Sequence, residues 1–204
     1  MEEDAVSKTI DIYEKFADEY TNLYFDFSGI CDMAEFFRGN LDGKRILDVG
    51  CGPGREARFF SENGFDVTGI DLTEKFLEIA FQKAPKAQFI KMDMRCLEFP
   101  DKNFDGVWVN ASFLHIPKNE AEKTLLELKR VLKEGGLLHI SVVAGEGEIF
   151  CTGGPEKGKG RFYALYGEDE FKNLLESNSF KIVKLKFVEH DERRWINIVA
   201  KKSS

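Results

Sequence analysis

Five short β-rich runs, most of them followed by a helical pattern, occupy the middle of this 204-residue chain. They cover residues 45–49, 65–70, 88–92, 104–109 and 137–143. Such alternation predicts βα units on a mostly parallel sheet. Between the runs, Ala57, Phe59 and Phe60 mark one helix, which stops at Asn63-Gly64. Thr73 stands where a cap belongs for the next, with Phe76, Ile79 and Ala80 as its apolar face. Ala121, Leu125, Leu128 and Leu132 predict a helix that opens after Pro117 and ends at Gly135-Gly136. Residues 144–161 then turn Gly- and Lys-rich and read as a long loop or insertion. A helix over 168–177 and two last runs, 180–188 and 195–200, follow. The link between these runs is too short for a parallel crossover, so they form an antiparallel hairpin and bring the strand count to seven. Ahead of the first run, residues 6–38 read as a helical segment rich in Tyr and Phe.

Composition narrows the class. Hydrophobic residues at 43% and charged residues at 32% describe a globular chain. Phe, at 19, suggests a bulky core or an aromatic pocket. The net charge of −7 argues against general affinity for nucleic-acid backbone, although residues 155–204 carry eleven bases against eight acids. Residues 1–20 hold seven acids against two bases. Cys31, Cys51, Cys96 and Cys151 show no metal-site spacing, and the three histidines are scattered, so no metal is expected. The acidic N-terminus does not read as a signal peptide, and no run approaches the length of a membrane span. The expectation is a reduced, cytoplasmic protein, monomer or homodimer.

Ligands of open α/β sheets bind beyond the carboxyl ends of the strands. The segments there are Asp48 to Gly54, Asp71-Leu72, Asp93-Met94 and Asn110 to His115. Gly50, Gly52 and Gly54 allow a tight turn and close approach to a ligand, at a helix start that offers free N–H groups. Asp71, at the end of the second run, is placed to accept both hydroxyls of a ribose. Asp48 separates two nucleotide classes. Its carboxylate would repel a pyrophosphate and attract an ammonium, which favours a nucleoside with an amino-acid tail over a dinucleotide.

At this point the residues resemble a family. Leu47-Asp48-Val49-Gly50-Cys51-Gly52-Pro53-Gly54 closely resembles the first motif of the class I S-adenosylmethionine-dependent methyltransferases. The resemblance continues through residues 67–71, Met92-Asp93-Met94, residues 104–108 and residues 128–136, and is nearest to the small-molecule type 11 and type 25 groups. It implies a Rossmann-like three-layer α/β sandwich with a seven-stranded sheet, an antiparallel last strand and an N-terminal helical extension. The chain would be a single domain, 1–204. Residues 1–40 would be a helical lid, 41–143 the cofactor-binding core, 144–166 an insertion or lid, and 167–204 the terminal helix and hairpin. The implied cofactor is S-adenosylmethionine, leaving as S-adenosylhomocysteine. Gly50, Cys51, Gly52 and Gly54 would line its methionine part, with Asp48 at the amino group. Asp71 would hold the ribose, and Leu72 would pack on adenine. Asp93 would accept from the adenine amino group, while the Met94 N–H meets a ring nitrogen. Asn110 and Ala111 would sit near the sulfonium, and Tyr20 would cover the methionine end, unless it is a plain helix-face tyrosine.

Methyl transfer from a sulfonium is an in-line displacement with a neutral leaving group. It requires a base only where the acceptor must lose a proton. His115 is the candidate base, and a histidine bonded to backbone is its other reading. His139 is expected inside the fifth strand and His190 exposed in the hairpin. Residues 110–113 resemble the Asn-Pro-Pro-Tyr motif of amino-methylating nucleic-acid enzymes, but both prolines are missing. Arg161, Phe162, Tyr163 and Tyr166 place a basic group among aromatics, suited to a carboxylate or phosphate, or simply a solvated loop. The expected function is methyl transfer to a small molecule. The alternatives are a transfer-RNA methyltransferase and a non-catalytic module that only binds the cofactor.

Overall fold

The computed structural model describes residues 5–25, 31–151 and 160–203. Residues 1–4, 26–30, 152–159 and 204, with the Cys31 side chain, lie outside it, and so do the corresponding parts of the expected lid and insertion. The strands of the main sheet are β1 (Arg45–Val49), β2 (Asp66–Asp71), β3 (Gln88–Lys91), β4 (Phe104–Val109), β5 (Leu132–Val143), β8 (Phe180–His190) and β9 (Arg193–Lys202). Their order is β3-β2-β1-β4-β5-β9-β8. β1 pairs in parallel with β2 and β4, and β9 pairs antiparallel with both β5 and β8. Strand order reverses between β1 and β4, so a crevice opens beyond their carboxyl ends.

Central strands covered on both faces should be apolar throughout. All six residues of β4 are buried, and so are four of the five in β1. Helices form the outer layers: α1 (Ala5–Lys15), α2 (Ala17–Tyr24), α3 (Cys31–Gly39), α4 (Arg55–Glu62), α5 (Glu74–Lys83), α6 (Lys118–Val131) and α7 (Glu168–Ser177). On one face, Leu125, Leu128, Phe113, Phe171 and Leu175 pack with residues of β4 and β5. On the other, Met33, Phe37, Phe60, Ala80 and Trp108 belong to a second cluster, in which Phe37 and Phe60 meet Trp108 edge-on. Six phenylalanines are among the largest fully buried side chains, so phenylalanine mainly builds the core. His139 is fully buried as expected, stacked 3.6 Å from Trp108.

Several local expectations change. The stretch read as one loop holds a second, two-stranded antiparallel sheet of β6 (Glu148–Cys151) and β7 (Arg161–Ala164). β7 is buried over its whole length because α1 packs on it, a long-range contact with no local signature. α6 ends at Val131, short of Gly135-Gly136. Leu132 already pairs with Phe104, and the chain bulges before Leu137 pairs with Gly106. The bulge keeps Gly136 against the backbone of Asp105, whose carboxylate is bound by Lys133 Nζ at 2.6 Å. Thr73 occupies the N-cap of α5 without a capping bond from its hydroxyl. Glu14 on α1 accepts from the N–H groups of Glu74 and Lys75 instead. The buried face of α5 is Phe76, Leu77 and Ala80, with Ile79 half-buried.

Candidate active site

The crevice beyond β1, β2 and β4 is a cavity roofed by α1 and α2. Gly50, Cys51, Gly52, Asp71, Leu72, Asp93, Met94, Asn110, Ala111, Tyr20 and His115 all line it, so most of the residues singled out in the sequence converge on one space. Asp48 and Gly54 are not on its wall. Gly54 packs behind it against Ala80 and Phe89. Asp48 is buried beneath the loop.

The loop conformation follows from crowding. Gly50 has φ +66°, and a Cβ there would fall 2.3 Å from the Cβ of Ser112. Ser112 is fixed in turn by donating to the Val49 carbonyl at 2.7 Å. Around Gly52, by contrast, nothing lies within 4 Å of the position a Cβ would take. Asp71 accepts from the N–H of Gly52 at 2.9 Å and of Thr73 at 2.8 Å, which ties the end of β2 to the loop. Burial raises the Asp71 carboxyl above its usual range, against the pull of these N–H donors.

Asp48 is 2% exposed, and its Oδ2 has no hydrogen-bond partner. Burial, reinforced by Glu56, holds its carboxyl well above the usual range, while Arg55 pulls the other way. Glu56 is bound by Arg55 Nη2 at 2.6 Å and by Asn110 Nδ2 at 2.9 Å. Asn110 Oδ1 accepts from Ser141 Oγ, which accepts from the N–H of Ala111. This network holds Ala111 at φ +53°, a left-handed conformation unusual for alanine, at the end of β4. Asp93 reaches the cavity, but its carboxylate is gripped by Arg95 through Nε and Nη2, at 2.8–3.1 Å.

His115 lies in a 3-10 turn, Phe113–His115, and is bonded at both ring nitrogens. Nδ1 is 2.8 Å from the Phe162 carbonyl, so it carries the proton and donates. Nε2 is therefore the acceptor, 2.9 Å from the Tyr13 hydroxyl. Tyr13 accepts from Arg161 Nη1 at 3.0 Å. The chain Arg161–Tyr13–His115–Phe162 joins α1, the 3-10 turn and β7. Burial lowers the His115 pKa to about 4 and raises the Tyr13 phenol well above its ordinary value, so both are neutral near pH 7. The backbone-bonded reading of His115 is thus what the geometry gives, and its basic nitrogen faces Tyr13.

A second cavity of about 290 Å³ adjoins the first and shares Tyr13, Tyr20, Tyr24, Arg55, Asn110 and Ala111 with it. Arg161, Tyr163, Arg193, Trp195 and His190 complete much of its wall. His190 is exposed as expected, yet it stands at this cavity. Four of the five tyrosines border this space, whereas no phenylalanine among the described residues does. Tyr13, Arg55, Glu56, Arg95 and the hairpin residues escaped the sequence reading. The run of aromatics in residues 6–38 was the one available signal. Among the described residues no group of three His, Cys, Asp or Glu side chains is placed to hold a metal ion.

Known proteins resemble this chain in sequence and in fold. Residues 46–136 match the family described as a methyltransferase domain. The putative methyltransferase YqeM of Bacillus subtilis is 36% identical over 137 residues, which is 64% of this chain and 55% of that protein. The demethylmenaquinone methyltransferase of Renibacterium salmoninarum is 33% identical over 103 residues, 50% of this chain and 43% of that one. The chain spans about half the length of the curated relatives it matches. The 1,6-didemethyltoxoflavin-N1-methyltransferase of Burkholderia thailandensis, solved with 1,6-didemethyltoxoflavin and S-adenosylhomocysteine, superposes with TM-score 0.80 at 20% identity over 97% of this chain and 88% of that one. The fold is that of the class I methyltransferases. Within it, residues 46–136 are similar to the methyltransferase-domain family.

Proposed function

We propose that the protein is an S-adenosylmethionine-dependent methyltransferase acting on a small molecule. The observation that carries this reading is the unpartnered, buried Oδ2 of Asp48 beneath a loop whose Gly52 side is open. An ammonium group held by that loop would lie over the buried carboxyl and favour its ionised form by charge, offsetting part of the cost of burying it. The residues present therefore fit the cofactor. Asp48, through the loop, and Gly50, Cys51 and Gly52 would hold its amino-acid tail, and Asp71 its ribose. Leu72, Met94 and Asp93 would border its base, and Asn110, Ala111 and Tyr20 its reacting end. When bound, the cofactor supplies an electrophilic methyl group.

The chain's own part is to position an acceptor and exclude water. The adjoining cavity and its 290 Å³ volume support a small-molecule acceptor. If the acceptor atom carries a proton, Tyr13 can take it on oxygen while passing its own hydrogen to Nε2 of His115. His115 would then act through Tyr13. The absence of any helix among the described residues long and apolar enough to cross a membrane is compatible with a cytoplasmic site of action. Calorimetric titration with S-adenosylhomocysteine tests the reading. Saturable binding supports it, and no binding refutes it.

A further inference from the structure

Beyond the ends of β2 and β3 the wall of the first cavity carries Leu72, Met92, Asp93 and Met94, so one carboxylate stands there among apolar side chains. Arg95 grips it. Arg95 Nε is 3.1 Å from Asp93 Oδ1 and 3.0 Å from Oδ2, and Nη2 is 2.8 Å from Oδ2. The Arg95 backbone N–H also donates to Oδ1 at 2.9 Å, and the Cys96 N–H donates to the Asp93 carbonyl at 3.1 Å. The turn after β3 is thereby closed on its own acidic side chain. Arg95 Nη1 carries the guanidinium on to Glu120 Oε2, at 3.1 Å, in the first turn of α6. Asp93 lines the cavity, whereas Arg95 and Glu120 do not. The side chain that faces the cavity is held from behind by one that does not.

A carboxylate without such a partner turns about its two side-chain bonds. A planar guanidinium fork across both oxygens removes that freedom. What then faces the cavity is an acceptor, because an ionised carboxylate has no hydrogen to donate. We propose that Arg95 is a positioning residue for the cofactor's base: acting through Asp93, it aims a carboxylate oxygen at the exocyclic amino group and makes the site select a 6-aminopurine over a purine that lacks the amino group. Fixing the acceptor before the ligand arrives spares binding part of its ordering cost. The proposal rests on the methyltransferase reading, which puts the base against Leu72, Asp93 and Met94.

The test is calorimetric titration of the full chain with S-adenosylhomocysteine and with its 6-deamino analogue, in which hydrogen replaces the adenine amino group. The wild-type protein should bind the amino form at least about tenfold tighter, as a hydrogen bond to a charged acceptor allows. Arg95→Gln should cut that ratio to below about threefold, while affinity for the deamino analogue changes little. A purely structural role for Arg95 would instead weaken both ligands alike. Arg95→Lys keeps the charge without the planar fork and should lower the ratio too. It carries the test if circular dichroism shows that Arg95→Gln does not fold. Equal affinities in the wild type, a ratio that survives in the folded variants, or a parallel loss of both ligands would overturn the proposal. Failure of S-adenosylhomocysteine to bind the wild-type protein would instead overturn the underlying methyltransferase reading, so the two failures are distinguishable.

Discussion

At the scale of single residues, the site trades stability for readiness. Asp48 is the clearest case. A buried carboxyl with an unpartnered oxygen destabilises the protein alone and is useful only once a cation arrives. Asp48→Asn should therefore leave the melting temperature of the ligand-free protein equal or higher, while weakening S-adenosylhomocysteine by at least about tenfold in calorimetry. A fall in both would assign Asp48 a structural role. Gly50 has the opposite character. Gly50→Ala places a methyl group against Ser112 at a positive φ, and should lower stability by about 1–3 kcal/mol in denaturant titrations. These residues were legible because motif and chemistry coincide within a few positions. The grip of Arg95 on Asp93 was not, since spacing cannot say which partner a carboxylate will choose.

At the scale of elements, the Arg161–Tyr13–His115 chain fastens α1 to the body of the protein. The bond between Arg161 and Tyr13 spans 148 positions. No local periodicity encodes such a contact, which is why Tyr13 read only as one of several helix aromatics. The same reason hid the β6–β7 hairpin, whose glycine-rich sequence resembles a loop until α1 packs on it. The chain also makes a pH dependence. Burial lowers His115 to about 4 and His139 to about 3, from an ordinary value of 6.5. In the unfolded chain both take up protons as pH falls through 6.5, and in the fold they do not. Stability from this source is complete above that value and is lost as pH falls toward 4. Each histidine should cost about 1 kcal/mol between pH 7.5 and 5.5, an order-of-magnitude figure. His115→Gln should reduce the loss by that amount in paired denaturation curves, and an unchanged loss would contradict a buried neutral His115. For the reaction itself, Tyr13→Phe should lower kcat more than it raises KM for a proton-bearing acceptor, at an unchanged cofactor Kd. Equal activity would remove the Tyr13–His115 pair from any proton transfer.

At the scale of the whole molecule, strand alternation and the order of the motifs fix the sheet, because each βα unit carries its own period and punctuation. Topology then brings the ends of β1, β2 and β4 together around one crevice. The terminal hairpin and α1 are farther apart in sequence, and they close the second chamber only in three dimensions. For that reason the cofactor side was readable from the sequence, whereas of the second chamber only the basic and aromatic run at Arg161–Tyr163 was, and its assembly with α1 and the hairpin came from the structure. The most direct measurement is calorimetric titration of the protein with S-adenosylmethionine, wild type against Asp71→Ala. The account predicts saturable micromolar binding that the substitution abolishes while the protein stays folded by circular dichroism. No heat with the folded wild-type protein, or equal binding by the variant, would contradict it.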